Sequence, residues 1–280
     1  VKVLSLFDGM GACALAWKRA GLPLSRYMAS EIDVDAVRVA SVNHLEIEQL
    51  GDIRRLNASR LPCQPDIVTA GSPCQGFSFA GKTLNFTDPR SALFFEFVRL
   101  LKQIKPPYFL LENVPMQKRF QNIISDYMGV DPVEINSSLV SAQNRRRLYW
   151  TNIPIALLED RGVTVQDILE DVSLPYPATV NRNLYQGEKV MCLRVKQDTT
   201  KSYCLTSSPA AVQTDQLPGQ YPFPTRQKYN WRPYTLKEMC RLQTLPDNYF
   251  YGVANKTRAR RLIGNGWTVD VIAHIFAGIH

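Results

Sequence analysis

The chain has 280 residues, 45% of them hydrophobic and 21% charged, the balance of a soluble globular protein with room for a substantial core. Lys and Arg number 33 against 25 Asp and Glu, and the resulting +8 favours a polyanionic partner, because basic side chains release counterions when they meet phosphates. No run approaches the roughly 20 apolar residues of a membrane span, and six cysteines without a C-x-x-C pair, beside three histidines, offer no metal site and suggest free thiols in a reducing compartment.

The first half alternates between strand and helix patterns. "VKVLSLF" reads as a buried strand, followed by glycine punctuation and a helix through "ACALAWKRAG". "RYMASE" is a second strand and "DVDAVRVASVNH" a helix. "PDIVTAG" and "PPYFLLENV" are further strands, separated by the amphipathic helix "RSALFFEFVRLLKQIK". Such alternation implies an α/β fold, a mostly parallel sheet with helices on both faces. Ligands of these sheets bind beyond the carboxyl ends of the strands, where the short motifs at 7–11, 31, 52, 71–76 and 112–114 all fall. From about Pro154 to Arg232 the rhythm is lost in stretches rich in Pro, Gln, Thr and Tyr, the mark of a small irregular domain or long insertion. Helical patterns return at "TLKEMCRLQTL" and "TVDVIAHIFAGI".

"FDGMGACA" places Gly9-x-Gly11-x-x-Ala14 between a strand and a helix, and Glu31 follows at the end of the next strand. Glycines would let a nucleoside cofactor approach the backbone, with the carboxylate accepting from ribose hydroxyls. The spacing suits NAD nearly as well as S-adenosylmethionine, and a tight strand–helix turn needs no cofactor at all. Asp52 in "GDIRRL" either accepts an adenine amino group or caps a helix.

"GSPCQGFS" puts Cys74 just beyond a strand end, and "LLENV" puts Glu112 at the end of the next predicted strand. Alone, each has a plain reading, the thiol as a small core residue and the carboxylate as a cap. Together they suit methylation of cytosine at carbon 5. A thiolate adding at carbon 6 makes carbon 5 nucleophilic, provided an acid such as Glu112 supplies a proton or hydrogen bond to N3.

At this point the chain resembles the cytosine-5 DNA methyltransferase family. "FDGMG" is similar to its cofactor loop, Glu31 to its ribose ligand, "GDI" to its adenine-side element, "GSPCQGFS" to its nucleophile loop and "ENV" to its acid strand. "QNRRRLY" resembles its Gln-x-Arg-x-Arg element, and "TLKEMCRLQTLPDNY" and "GNGWTVDVI" resemble its last two motifs. The resemblance implies a Rossmann-like S-adenosylmethionine-dependent methyltransferase fold over 1–153 and 232–280, with a small target recognition domain at 154–231. It implies Cys74, Glu112, Arg145 and Arg147 as catalytic residues. Phe7, Gly9, Gly11, Glu31, Ile32, Asp52, Ile53, Pro73, Leu93, Asn265 and Trp267 would form the cofactor pocket. Asp8 and Trp267 depart from commoner family residues. The "GNGWTVDVIAHIFA" end also resembles the animal de novo enzymes, whereas Pro-Cys-Gln and Gln-x-Arg-x-Arg look bacterial or viral.

The substrate implied is double-stranded DNA, whose target base must leave the stack to be reached. Gln75, Ser78, Lys82 and Arg90 would meet it from the loop after Cys74, with closure of that loop over the base. Thr206 and Ser207 in "CLTSS" resemble a base-reading loop, and Gln213 offers a base-edge donor or acceptor. Arg146 fits a phosphate contact. The resemblance places the protein in the cytoplasm of a bacterial or viral host cell, or in the nucleus of a eukaryote, and admits a partner restriction endonuclease that no residue identifies. Two alternatives are a tRNA cytosine methyltransferase, whose Cys-Phe-Thr signature is missing, and a catalytically silent regulatory relative.

Overall fold

The computed structural model of the chain describes residues 1–71, 89–170, 200–206, 211–213, 231–253 and 255–280. In order these form β1 (Lys2–Leu6), α1 (Ala12–Arg19), β2 (Arg26–Ser30), α2 (Val34–Asn43), β3 (Ile47–Gln49), β4 (Ile67–Gly71), α3 (Pro89–Ile104), β5 (Tyr108–Asn113), α4 (Lys118–Met128) and β6 (Val133–Asn136). There follow β7 (Gln143–Asn144), β8 (Arg146–Thr151), α5 (Val165–Ile168), β9 (Ser202–Tyr203), β10 (Ala211–Gln213), β11 (Trp231–Pro233), α6 (Leu236–Leu242), α7 (Lys256–Asn265) and α8 (Val269–Phe276). The elements fall into two compact units: Val1–Asn136, Arg146–Leu158 and Trp267–His280 in the first, Ser137–Arg145 and Glu159–Gly266 in the second.

The first unit is built on a seven-stranded sheet in the order β3-β2-β1-β4-β5-β8-β6. Strands β3 to β5 are parallel, while β8 runs antiparallel to both β5 and β6. The fold is the Rossmann-like one expected. Unbroken apolar and small residues in β1 and β4 follow from burial of both faces. Leu4, Leu6, Val68 and Ala70 pack with Phe94, Phe97 and Leu100 of α3 and with Phe120 and Ile124 of α4. Thr69 points the opposite way, as strand alternation requires, and meets Cys13 of α1. Helix α1 in turn packs on α8, with the rings of Trp17 and Phe276 centred 5.0 Å apart. Strand order reverses between β1 and β4, so the crevice for a ligand lies where Phe7–Gly11 leaves β1 and where β4 ends at Gly71.

Among its described residues the second unit has little sheet. Strands β7 and β9 form one parallel pair and β10 and β11 one antiparallel pair. Side chains bonded to backbone carry more of the ordering here. A capping box of Thr235 and Glu238 opens α6, and the Glu238 carboxylate, buried, also takes the N–H of Glu170 at 2.8 Å. Lys201 donates from Nζ to the carbonyls of Ser138 and Val163, both at 2.6 Å.

Candidate active site

Backbone conformation shapes the loop after β1. Phe7, Gly9 and Gly11 all have positive φ, and Gly11 caps α1. At Gly9, φ +62° favours glycine, and a Cβ built there would meet nothing within 4 Å, so open space lies beside this loop. The Gly9 N–H donates to one oxygen of Glu31 at 2.8 Å. The other oxygen accepts from the N–H groups of Ile32 and Asp33 at 2.7 and 2.8 Å. Glu31 therefore ties the loop after β1 to the loop after β2, and the next side chain, Ile32, stands 65% exposed. Open space at a glycine, a fixed carboxylate acceptor and an exposed apolar side chain are features that would suit a nucleoside.

Farther along the rim, Asp52 caps the short turn Ile53–Arg55. Its carboxylate accepts the backbone N–H and the Nε of Arg54, each at 3.0 Å, and these bonds hold its pKa below the usual carboxylate range. Ile53 is buried in the core and anchors the turn, while Arg99 of α3 donates to the Leu56 carbonyl at 3.0 Å. Leu93 is half-buried on α3.

Beneath the glycine loop lies a buried polar group. The Tyr27 hydroxyl donates to Asp8 at 2.7 Å. Burial pushes the Asp8 carboxyl up to about 6 against the pull of the Ser5 and Tyr27 hydroxyls, and the negative charge of Glu31 adds to the rise. Burial likewise pushes the Cys13 thiol up to about 12, with the Asp8 charge adding to it, which leaves that cysteine inert.

The strand ends β4, β5 and β8 bring a second set together. Glu112 on β5 lies opposite Gly71 on β4 and opposite Tyr149 on β8. Arg147 is two residues from Tyr149, hence on the same face of β8, and its Nε lies 2.9 Å from one Glu112 oxygen. The Trp267 indole N–H donates to the other oxygen at 3.1 Å, and the carboxylate is buried. A Cβ at Gly71 would come 2.8 Å from Trp267 Nε1, so this close approach is open only to glycine. Trp267, expected in the cofactor pocket, is bonded through its indole to the candidate acid. Sequence reading treated Gly71 as punctuation, and its partner, distant in the chain, left no local signal.

The expectation that Arg145 reaches an active site meets a different arrangement. Its guanidinium is 2% exposed and donates to the carbonyls of Leu205, Gly264 and Gly266 at 2.8, 3.2 and 2.7 Å, with Cys204 Sγ at 3.3 Å. Its acceptors are thus backbone carbonyls of the second unit. Asn265 is exposed at the end of α7 in that unit, and Thr206 is exposed beside Leu205. Gln213 ends β10 opposite Trp231, and Arg90 stands in the first turn of α3. Pro73, Cys74, Gln75, Ser78, Lys82 and Ser207 lie outside the described residues. Among the described residues no group of His, Cys, Asp and Glu is placed to hold a metal, and no helix is long and apolar enough to cross a membrane.

Residues 1–153 and 176–280 match the family described as C-5 cytosine-specific DNA methylase. The Type II methyltransferase M.NgoPII of Neisseria gonorrhoeae is 26% identical over 100% of this chain and 95% of its own length. The Type II methyltransferase M1.ScrFI of Lactococcus lactis subsp. cremoris is 30% identical over 97% of this chain and 76% of its length. Among solved structures, the S. pombe Dnmt2 methyltransferase superposes with a TM-score of 0.75 at 18% identity, covering 99% of this chain and 97% of its own. The Entamoeba histolytica methyltransferase EhMeth gives 0.75 at 17% identity, covering 100% and 99%. At such identities the two structures speak to the fold alone.

Proposed function

The chain belongs to the C-5 cytosine-specific DNA methylase family, and we propose that it methylates carbon 5 of a cytosine flipped out of a specific duplex DNA sequence. The observation that carries this reading is the Glu112 carboxylate, buried at a strand end between Arg147 and Trp267 and opposite Gly71, the last residue of the strand that leads to Cys74.

S-adenosylmethionine, when bound, supplies the methyl group on a positively charged sulfur. Gly9 and Gly11 with Glu31 and Ile32 would hold its nucleoside, and Asp52 its adenine amino group. The remaining chemistry falls to side chains of this chain. The Cys74 thiolate forms a bond to carbon 6, and the displaced electron pair moves toward carbon 5 while Glu112 delivers a proton or hydrogen bond at N3. Arg147 fixes Glu112, and its guanidinium would stabilise the charge that develops on the cytosine carbonyl oxygen. Once carbon 5 is methylated, loss of its proton returns an electron pair to the ring and breaks the bond to Cys74. In this scheme 1–153 and 232–280 carry catalysis, and 154–231 reads the target from Thr206, Ser207 and Gln213. Gln75, Ser78, Lys82 and Arg90 meet the DNA from the nucleophile loop. The relatives named Type II methyltransferases come from bacteria and support a cytoplasmic setting in a bacterial cell.

Cys74→Ala is expected to eliminate methyl transfer while DNA binding survives, and wild-type transfer by that variant defeats the assignment. Duplex DNA carrying 5-fluorocytosine, which cannot lose the carbon 5 substituent as a proton, is expected to trap a covalent adduct. Transfer to tRNA but not to duplex DNA in parallel assays would move the substrate to RNA.

A further inference from the structure

Gln143 and Arg145, 0% and 2% exposed, hold one peptide group between them. The Gln143 side-chain oxygen accepts the N–H of Leu205 at 3.1 Å, and the Arg145 guanidinium donates to the carbonyl of the same residue at 2.8 Å. Side chains two residues apart in extended chain emerge on one face, so the Gln-x-Arg spacing can grip both poles of a single peptide. Backbone pairing extends the grip, since β7 aligns Gln143 with Ser202 and Asn144 with Tyr203, and the Ser202 N–H reaches the Ala142 carbonyl at 2.6 Å.

The remaining donors of both side chains fasten to two helix ends. The Gln143 amide donates to the Leu242 carbonyl and, at 2.9 Å, to the Gln243 side chain at the end of α6. Arg145 donates to Gly264 and Gly266 at the end of α7, and Gln243 donates to Ile263 at 2.8 Å. One buried knot thus joins Leu205 to the ends of α6 and α7. The exposed Thr206 follows Leu205 directly.

We infer that Gln143 and Arg145 are positioning residues for target recognition, a clasp that fixes the Cys204–Thr206 segment so that Thr206 meets a base edge in one register. This rests on the methylation reading above and separates the first two members of Gln-x-Arg-x-Arg from Arg147, which serves Glu112. The physical need is plain. A hydrogen bond to a base edge weakens steeply as its angle departs from linear, and two-residue strands cannot hold a reading segment by their ladder alone. Two buried side chains bonded to several backbone groups can, because releasing either leaves buried carbonyls or a buried guanidinium without those bonds.

The test uses the full chain with Arg145→Lys and Gln143→Leu. Methylation of a duplex library randomised around cytosine is read by bisulfite sequencing, beside S-adenosylmethionine affinity and amide exchange of residues 201–206. The expected result is a fall of about tenfold or more in preference for the best site over its single mismatches. Transfer at the best site should fall less, cofactor affinity should hold, and exchange at Leu205 should accelerate. Should Gln143→Leu fail to fold, Arg145→Lys retains the charge and one carbonyl bond and still tests the clasp. Unchanged site preference overturns the inference, as does turnover lost with preference intact, or cofactor affinity lost in step with preference. A wild-type protein that leaves every library cytosine unmethylated defeats the methylation reading and the role given to the clasp with it. That outcome is recognisable, because the exchange measurement reports the Leu205 bonds without any turnover.

Discussion

The two units place their functional groups by different means. In the first, Glu112 and Arg147 sit on neighbouring strands of a continuous ladder, and backbone pairing sets which residue stands opposite which. Among the described residues of the second, the paired strands are two or three residues long, and buried Gln143, Arg145, Gln243 and Glu238 bond to backbone. A ladder tolerates loss of one side chain because the neighbouring backbone keeps its bonds. A network of side-chain-to-backbone bonds loses its geometry when one member goes. Substitutions at the sheet rim should therefore strike the chemistry, and those in the second unit should strike positioning.

Arg147→Ala is the strongest probe of that division. It removes the charged partner of Glu112 and the guanidinium proposed to stabilise developing charge, so kcat should fall on the order of 10²–10³-fold while cofactor affinity and site preference hold. Single-turnover transfer on a methylatable duplex measures it. If site preference flattened instead of rate, the two arginines would share one role and the comparison would break.

Asp8→Asn tests the cost of a buried carboxylate beneath the glycine loop after β1. A folded-state value of about 6, above the ordinary 3.8, means that the native chain binds this proton more tightly than the unfolded chain does. The stability so gained is fully present below pH 4 and is lost as pH rises through 6. Removing the charge should raise stability by up to about 3 kcal/mol at pH 8 and by nothing near pH 4. Urea titrations at the two pH values decide, and equal gains at both would assign the effect to packing.

Gly71→Ala is smaller and more local. The new methyl must displace the Trp267 indole, costing about 1–3 kcal/mol in stability, and the loss of one bond to Glu112 should slow transfer roughly tenfold. An unchanged thermal midpoint together with an unchanged rate would show that the indole is free to move.

Strands β1, β2, β4 and β5 and helices α1 to α3 announce themselves by apolar periodicity, and Glu31 and Glu112 fall at strand ends where such sheets bind ligands. Helix α4 follows the strand-end motif that carries Glu112, and its Phe120, Ile124 and Met128 recur at intervals of four, a sparser apolar pattern than that of α3. Helix α7 was missed because its arginines mask Ala259, Leu262 and Ile263. The different partners of Arg145 and Arg147 were not readable at all. The residues are identical in type and two apart, and their partners come from distant parts of the chain. Gly71 is the same case, since the need for glycine arises from a ring far along the sequence.

Arg146 stands between those two arginines and marks the lower limit of the scale. Its side chain is 63% exposed and paired with Glu134 at 2.7 Å. Exposed pairs of this kind contribute little, because water and salt screen them and two long side chains must be ordered to form them. Arg146→Ala should leave the thermal midpoint and the site preference unchanged. If the residue contacts a phosphate, the slope of DNA affinity against salt should decrease by about one charge, since one fewer counterion is released. A loss of site preference matching that of Arg145→Lys would mean that the whole basic run positions the reading segment. Burial and bonding of the individual guanidinium would then not be what separates the three arginines.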